Sequence, residues 1–388
     1  AAAPSSPFGP LGAKAQPEAL MVKLARPVSA ARLRARLAAG NPATESSLDR
    51  ALARIDWARV PSQGDGFRAA LLAEPGVVAV LPSRTLRALG TAGRRVGSAP
   101  YNDPQASVQY ALARVDTPGA HAVTTGSART TLAIVDTGVD YRHPDFREAT
   151  GAATRVVKGE DYVNLDGDPM DRNGHGTHCA GIAAATANNG VGIVGQAPGV
   201  RLLAERVLGD NGAGSDAAVA AGIIHATDQG ASVISLSLGG PEAVPVIDDA
   251  VRYAQARGVL LVAAMGNEGG LRPSYPAANA GVLAVGATDA ADAVCGFSNR
   301  GAWISLCAPG DAILSTLPGP AGYGLKSGTS MATPCVAGVA ALLRDRHPDW
   351  SPAQVRARLE ATSDDLGAPG FDPIFGHGRL NAGRALRG

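Results

Sequence analysis

The sequence is poor in charge, in aromatic side chains and in cysteine, and no apolar run in it is long. Charged residues are 18% of the chain and aromatics 4%, against 45% hydrophobic. That balance is too apolar and too weakly charged for a disordered or coiled-coil protein. No apolar stretch nears the roughly 18 residues of a membrane span, so no membrane partner is expected. The four cysteines (Cys179, Cys295, Cys307, Cys335) are too few for a disulfide scaffold and are not spaced as a zinc ribbon. The net charge of +1 gives no overall basic excess, and no nucleic-acid partner is expected.

What is abundant is backbone punctuation. Glycine (49) and proline (27) imply many tight turns and close backbone approaches around a core of small aliphatic side chains. At 388 residues the chain is longer than one ordinary domain. Its charge is also divided: residues 1–89 hold 12 basic and 6 acidic side chains, net +6, and the remainder is net −5. A basic leading segment could bind nucleic acid, but opposite signs on two parts of one chain suggest instead that they dock on each other.

The pattern divides the chain into an Ala/Pro/Ser-rich arm (1–17), a small α/β unit (18–89), a Gly- and Arg-rich linker (90–101) and a main domain (102–388). The small unit reads as a strand over Glu18–Leu24, a helix capped by Ser29 through Leu37, a helix over Asp65–Ala73 and a strand at Val77–Val80. The main domain reads as aliphatic strands at Thr131–Val135, Leu202–Val207, Val233–Leu236, Val259–Ala264 and Val282–Val285. Helices are expected over Asp216–Asp228, Val246–Ala256, Ser330–Leu343 and Pro352–Leu359. Apolar strands alternating with helices predict an α/β fold with a mostly parallel sheet covered on both faces, whose sites form at the carboxyl ends of the strands. The small polar start, Ala1 to Pro7, looks like what remains after a secretory signal is cut, and export is expected.

Three segments set a reactive side chain at a strand end or helix start among glycines. They are Ala133-Ile134-Val135-Asp136-Thr137-Gly138, Asn173-Gly174-His175-Gly176-Thr177-His178-Cys179 and Gly328-Thr329-Ser330-Met331-Ala332-Thr333-Pro334. Singly, each has a plain alternative: a turn-capping Asp, a core His, an N-cap Ser. Together they offer a nucleophile, a base and an orienting carboxylate. A serine hydroxyl is a poor nucleophile at neutral pH, so Ser330 needs a base such as His175, and Asp136 would hold the imidazole tautomer. Pro334 is expected in the first helical turn, where no N–H is missed. His175 and His178 are poorly placed as a zinc pair, with Gly-Thr between them and no positioned glutamate.

These segments resemble the subtilisin-like serine proteases, and Asn102-Asp103-Pro104, Cys179 and Ala187-Asn188-Asn189-Gly190 are most similar to the thermitase branch. The resemblance implies a three-layer subtilisin-like fold and cleavage of protein or peptide substrates by a monomer. It implies that the Asn267 side chain and the Ser330 N–H bind the oxyanion. Gly212-Ala213-Gly214 and Ser237-Leu238-Gly239 would pair with an extended substrate on either side. Ser237 to Gly239, with Ala264 and Gly266, would wall the first specificity pocket, Ser274 lying near its base. No acidic residue is expected in that pocket, which suits broad cleavage after apolar or aromatic residues.

The resemblance also implies calcium, at Asp103, Asp145 and Asn189 with carbonyls of Thr186, Val191 and Ile193, and at a second site in the acidic loop from Asp161 to Asp171, through Asp161, Asp166 and Asp168. Cys179 is expected as a buried thiol sensitive to mercurials, and Cys295 with Cys307 could form a disulfide. Residues 18–89 more weakly resemble the family's inhibitory, ferredoxin-like propeptide. Its tail would lie in the cleft with Leu86 in the fourth pocket and Leu89 in the first, and self-cleavage is expected after Leu89. A narrow processing protease and a silent binding or inhibitor protein are the alternatives. The closing segment Phe375 to Asn381 matches the family's end, and no appended binding domain is expected.

Overall fold

The computed structural model describes residues 19–25, 46–62, 67–88, 100–148, 153–319 and 322–387. The expected arm, the helix expected over 29–37, Leu89 and most of the expected linker lie outside the described residues. In the leading unit, β1 (Ala19–Leu24), β2 (Trp57–Pro61) and β3 (Val77–Pro82) form an antiparallel sheet in the order β2-β1-β3. Period-two alternation gives that sheet two working faces. Leu20, Val22 and Leu24 face a small core with Val60, Leu71 and Val80, while Met21 and Trp57 belong to a cluster shared with the main domain. A helix at Ser47–Ala53, with a capping box between Ser46 and Asp49, packs on the helix Asp216–Asp228. A fourth strand, β4 (Thr85–Ala88), leaves the unit and enters the main domain.

The body's strands are β5 (Thr131–Asp136), β6 (Val156–Asp161), β7 (Arg201–Arg206), β8 (Ala213–Ser215), β9 (Val233–Leu236), β10 (Leu238–Gly239), β11 (Leu260–Ala264), β12 (Leu283–Thr288), β13 (Leu306–Pro309), β14 (Ile313–Thr316) and β15 (Tyr323–Lys326). Seven of them make one parallel sheet, ordered β13-β12-β11-β9-β5-β7-β6. The sheet is buried on both faces, as continuous apolar strands require. Leu132 and Ile134 of β5 point into one core, with the helices His175–Ala184 and Thr329–Arg346; Ala133 and Val135 point into the other, with the helices Asp216–Asp228 and Pro245–Gln255. This is the expected three-layer α/β fold.

The expected charge complementarity is realised at the contact between unit and body. Lys23 meets Asp249 at 2.7 Å, Arg54 meets Asp228 at 3.6 Å, and Arg84 pairs with Glu242. The disulfide is corrected: all four cysteines are free and buried. Cys295 lies in the first core and Cys307 in the second, on opposite faces of the sheet.

Candidate active site

Asp136 ends β5, an interior strand of the sheet between β9 and β7, and is fully buried. Its Oδ1 accepts from the Thr137 N–H at 2.7 Å and lies 2.7 Å from His175 Nδ1. His175 opens its helix behind Gly174, whose φ of 93° suits glycine. Gly176 is needed for contact, since a Cβ there would come within 2.1 Å of the Gly138 carbonyl oxygen. Burial alone would lower the His175 pKa, but the Asp136 carboxylate outweighs it and holds the ring well above the ordinary histidine value. His175 Nε2 is buried and has no partner.

Ser330 stands in the first turn of the helix Thr329–Arg346. Its Oγ donates to the Ser237 carbonyl at 3.0 Å rather than to His175. Cys179 connects the two, with its Sγ 3.9 Å from His175 Nδ1 and 3.5 Å from the Ser330 carbonyl. Burial pushes the Cys179 thiol up, so it is a packed, protonated neighbour and not a nucleophile. The expectation for Pro334 is corrected. It lies inside the helix, in the second turn, and cannot donate to the Ser330 carbonyl four residues earlier. That carbonyl takes the Ser237 hydroxyl at 2.8 Å and the Cys179 thiol instead. The proline thus frees a carbonyl that ties the turn holding Ser330 to two neighbouring elements.

The Asn267 Oδ1 accepts from the Thr329 N–H and Oγ1, both at 2.9 Å, which fixes the amide and leaves its NH2 free to donate. Gly266 donates to Thr329 Oγ1 at 3.2 Å, and Ser274 is buried next to Tyr275, which bridges to Gly240. Glu268 lies beside Gly266, its carboxylate within 2.8 Å of where a Gly266 Cβ would be, and it accepts from Asn299 Nδ2 at 2.7 Å.

β4 runs between β8 and β10, antiparallel to both. Leu86 pairs with Gly214, Arg87 with Ala213 and with Gly239, and Ala88 with Leu238. Leu86 is buried, with Cδ2 3.0 Å from the Cβ position of Gly240. Gly212 turns the chain into β8 at a φ of 72°.

A model described as the Subtilase family matches residues 127–378. The chain belongs to the subtilase family. Thermitase from Thermoactinomyces vulgaris is 46% identical over 287 residues, 74% of this chain and 99% of thermitase. A thermophilic serine proteinase from Bacillus sp. (strain AK1) is 45% identical over 278 residues, 72% of this chain and 67% of the relative. Subtilisin Savinase from Lederbergia lenta is 42% identical over 281 residues, 72% of this chain and 99% of the relative. This subtilase is a serine endopeptidase of the subtilisin type.

Around that centre the subtilase holds a hub that sequence reasoning placed only in an acidic loop. Asp171, buried, accepts from Thr137 Oγ1, Asn173 N and Gly174 N on one oxygen, each at 2.9 Å. Its other oxygen accepts from Thr177 N at 2.9 Å and Thr177 Oγ1 at 2.6 Å. One carboxylate therefore ties the Asp136 strand end to the His175 helix start. His178 is structural: its Nε2 lies 3.0 Å from the Gly324 carbonyl, and burial, with Lys326 nearby, lowers it to about 3. Among the described residues, the one close grouping of three metal-ligating side chains is Asp136, His175 and Cys179, which holds two of the expected triad residues.

The acidic loop does not converge. Asp161 is bound to Arg206 at 2.6 Å and Asp168 to Tyr141 at 2.8 Å, while Asp166 accepts from the Asp168 N–H at 2.9 Å. The other expected ion site brings two buried carboxylates onto one loop. Asp103 and Asp145, both buried, close on the loop 188–193: Asp103 accepts from Asn188 N and Asn189 N, and Asp145 from Asn189 Nδ2 and Ile193 N. The Thr186 N–H donates to the Asp145 carbonyl, and Val191 N donates to Asn189 Oδ1. Burial raises both carboxyls, Asp145 to about 7 with the Asp103 charge adding to it. Two buried carboxylates, one of them made costlier to ionise by the charge of the other, fit a cation.

Proposed function

We propose that this subtilase is a secreted, calcium-stabilised endopeptidase of broad specificity, made as a precursor whose residues 18–89 fill the cleft until the chain cuts itself after Leu89. The observation that carries the reading is the strand Thr85–Ala88 between β8 and β10, with Leu86 sunk in an apolar pocket. A chain segment held as an added strand, by backbone pairing on both edges, is how an extended peptide is recognised. A cleft filled by its own chain also suits an enzyme kept idle until it has been exported.

In this reading the Ser330 hydroxyl turns from the Ser237 carbonyl toward His175 Nε2, which is unpartnered and free to take its proton. Ser330 Oγ attacks the carbonyl carbon and Asp136 stabilises the imidazolium that results. The Asn267 NH2 and the Ser330 N–H receive the oxyanion. His175 then gives the proton to the leaving amine, and water hydrolyses the acyl-serine with the same base. Asp103, Asp145 and Asn189, with carbonyls of Thr186, Val191 and Ile193, would hold calcium, which when bound fastens residues near Asn102 to the loop 186–193. Glu268, committed to Asn299, leaves the first pocket to apolar residues.

The test is an intact-mass time course of the full chain in calcium, beside Ser330→Ala. Wild type splitting near Leu89 while the variant stays whole is the expected result. Both chains staying whole would defeat self-processing, and both splitting alike would show a contaminating protease at work.

A further inference from the structure

Beyond the apolar anchor Leu86, the leading unit keeps touching the body, and these contacts involve side chains. The Arg84 carbonyl accepts from the Asp216 N–H at 2.8 Å, so the chain is still held by backbone two residues upstream of the anchor. The Arg84 guanidinium pairs with Glu242, which lies just past the β10 edge. Ser83 Oγ donates to Asp216 Oδ1 at 2.5 Å. The other Asp216 oxygen is buried and has no partner among the described residues, and the whole residue is only 1% exposed. Asp216 and Arg84 both line a cavity of about 220 Å³ between unit and body, with Trp57, Pro82 and Val244. A buried carboxylate oxygen left without a donor is costly unless a cation or donor reaches it.

From this geometry we infer that Asp216 and Glu242 form a distal subsite of the mature cleft, which selects a cationic side chain two residues upstream of the apolar anchor. The inference rests on the reading that Thr85–Ala88 marks the substrate path. With the leading unit gone, both carboxylates border the end of the cleft, and Arg84 shows the ligand that suits them. A planar guanidinium can meet Glu242 on the surface and turn a donor toward Asp216. Burial raises the Asp216 carboxyl, and hydrogen bonding from Ser83 opposes this. A substrate arginine supplies the countercharge that Ser83 cannot. The contribution is to binding, since neither carboxylate touches the reacting atoms.

The full chain is incubated in calcium until its peptidase activity is constant, then given nitroanilides of the sequence of residues 82–89, with Arg, Ala or Glu at position 84. A short nitroanilide of residues 86–89 reports the basic reaction. We expect Arg to exceed Ala by roughly three- to tenfold in kcat/KM, mainly through KM, and Glu to fall below Ala. Glu242→Gln and Asp216→Asn should each pull the Arg-to-Ala ratio toward one, and salt should do the same in wild type. Because the readout is a ratio within each variant, a general loss of activity does not disturb it. If the peptides are cut with Arg and Ala indistinguishable in wild type, the distal subsite is wrong while the endopeptidase reading stands. If neither the long nor the short peptide is cut, the endopeptidase reading fails and takes the subsite with it.

Discussion

The leading unit and the body are built on the same period-two alternation, yet only the body encloses its own core. In β5, Leu132 and Ile134 serve one buried layer and Ala133 and Val135 the other, and helices of the body cover both. In β1, Leu20 and Val22 serve a small internal core, while Met21 faces outward and is covered by the body. Half of the unit's sheet is thus completed by another domain. The difference teaches which part depends on the other: the body covers both faces of its own sheet, whereas one of the unit's two faces is covered only by the body.

Trp57 is where that dependence is most exposed to attack. Its ring is buried among body residues and its Nε1 donates to Asp249 at 2.7 Å, beside Lys23. Truncating a buried tryptophan costs about 3–5 kcal/mol, which corresponds to roughly 10²–10⁴-fold weaker docking. Trp57→Ala should therefore shorten or abolish the lag before peptidase activity appears, with the body's own melting temperature unchanged. A variant with the same lag as wild type would mean that the unit does not need the body's face. Asp249→Asn, which keeps the tryptophan packing, should have the same sign and a smaller size.

Calcium removal probes the body's side of the comparison. Asp103 and Asp145 are buried together, and both carboxyls are raised. Chelation with excess EDTA should lower the body's melting temperature by several degrees, since about 1 kcal/mol moves a domain of this size by roughly 2–4 °C. The leading unit holds none of these ligands, so its contacts with the body should weaken only as the body itself unfolds. An unchanged melting temperature in EDTA would remove calcium from the account.

The parts of the molecule legible in the sequence are those whose signal is local. Asp136, His175 and Ser330 stand in short motifs at element ends, and the central strands are unbroken aliphatic runs. The edge strand β6 was not legible, because Val156-Val157 gives way to Lys158, Gly159 and Glu160 as one side of the sheet meets solvent. The helix at Ser47–Ala53 escaped for want of length, although Ser46 and Asp49 carry the spacing of a capping box. Long-range choices were invisible. Nothing near Asp161 announces that Arg206, 45 residues on, takes its carboxylate, and nothing near Cys295 says that Cys307 faces the other core. Asp171 looked like one more acid in a loop until its five hydrogen-bond donors were in place.

The smallest expected effect separates two kinds of charge pair. His175 and Asp136 are buried together, whereas Lys23–Asp249, Arg54–Asp228 and Arg84–Glu242 are partly open to solvent. His175 can act as a base only when its ring is neutral. Below its pKa Nε2 carries a proton and cannot accept one from Ser330, so activity is present above that pKa and is lost as pH falls through it. Burial favours the neutral ring but Asp136 prevails, so the acid limb of kcat/KM should lie above the ordinary histidine value of about 6.5. Solvent ions screen a buried pair little and exposed pairs strongly. Raising salt from about 0.05 to 1 M should accordingly leave the limb within a few tenths of a pH unit while loosening the leading unit several-fold. A limb that moved with salt as far as the docking does would mean that water reaches the His175–Asp136 pair, and that it is no better shielded than the pairs between unit and body.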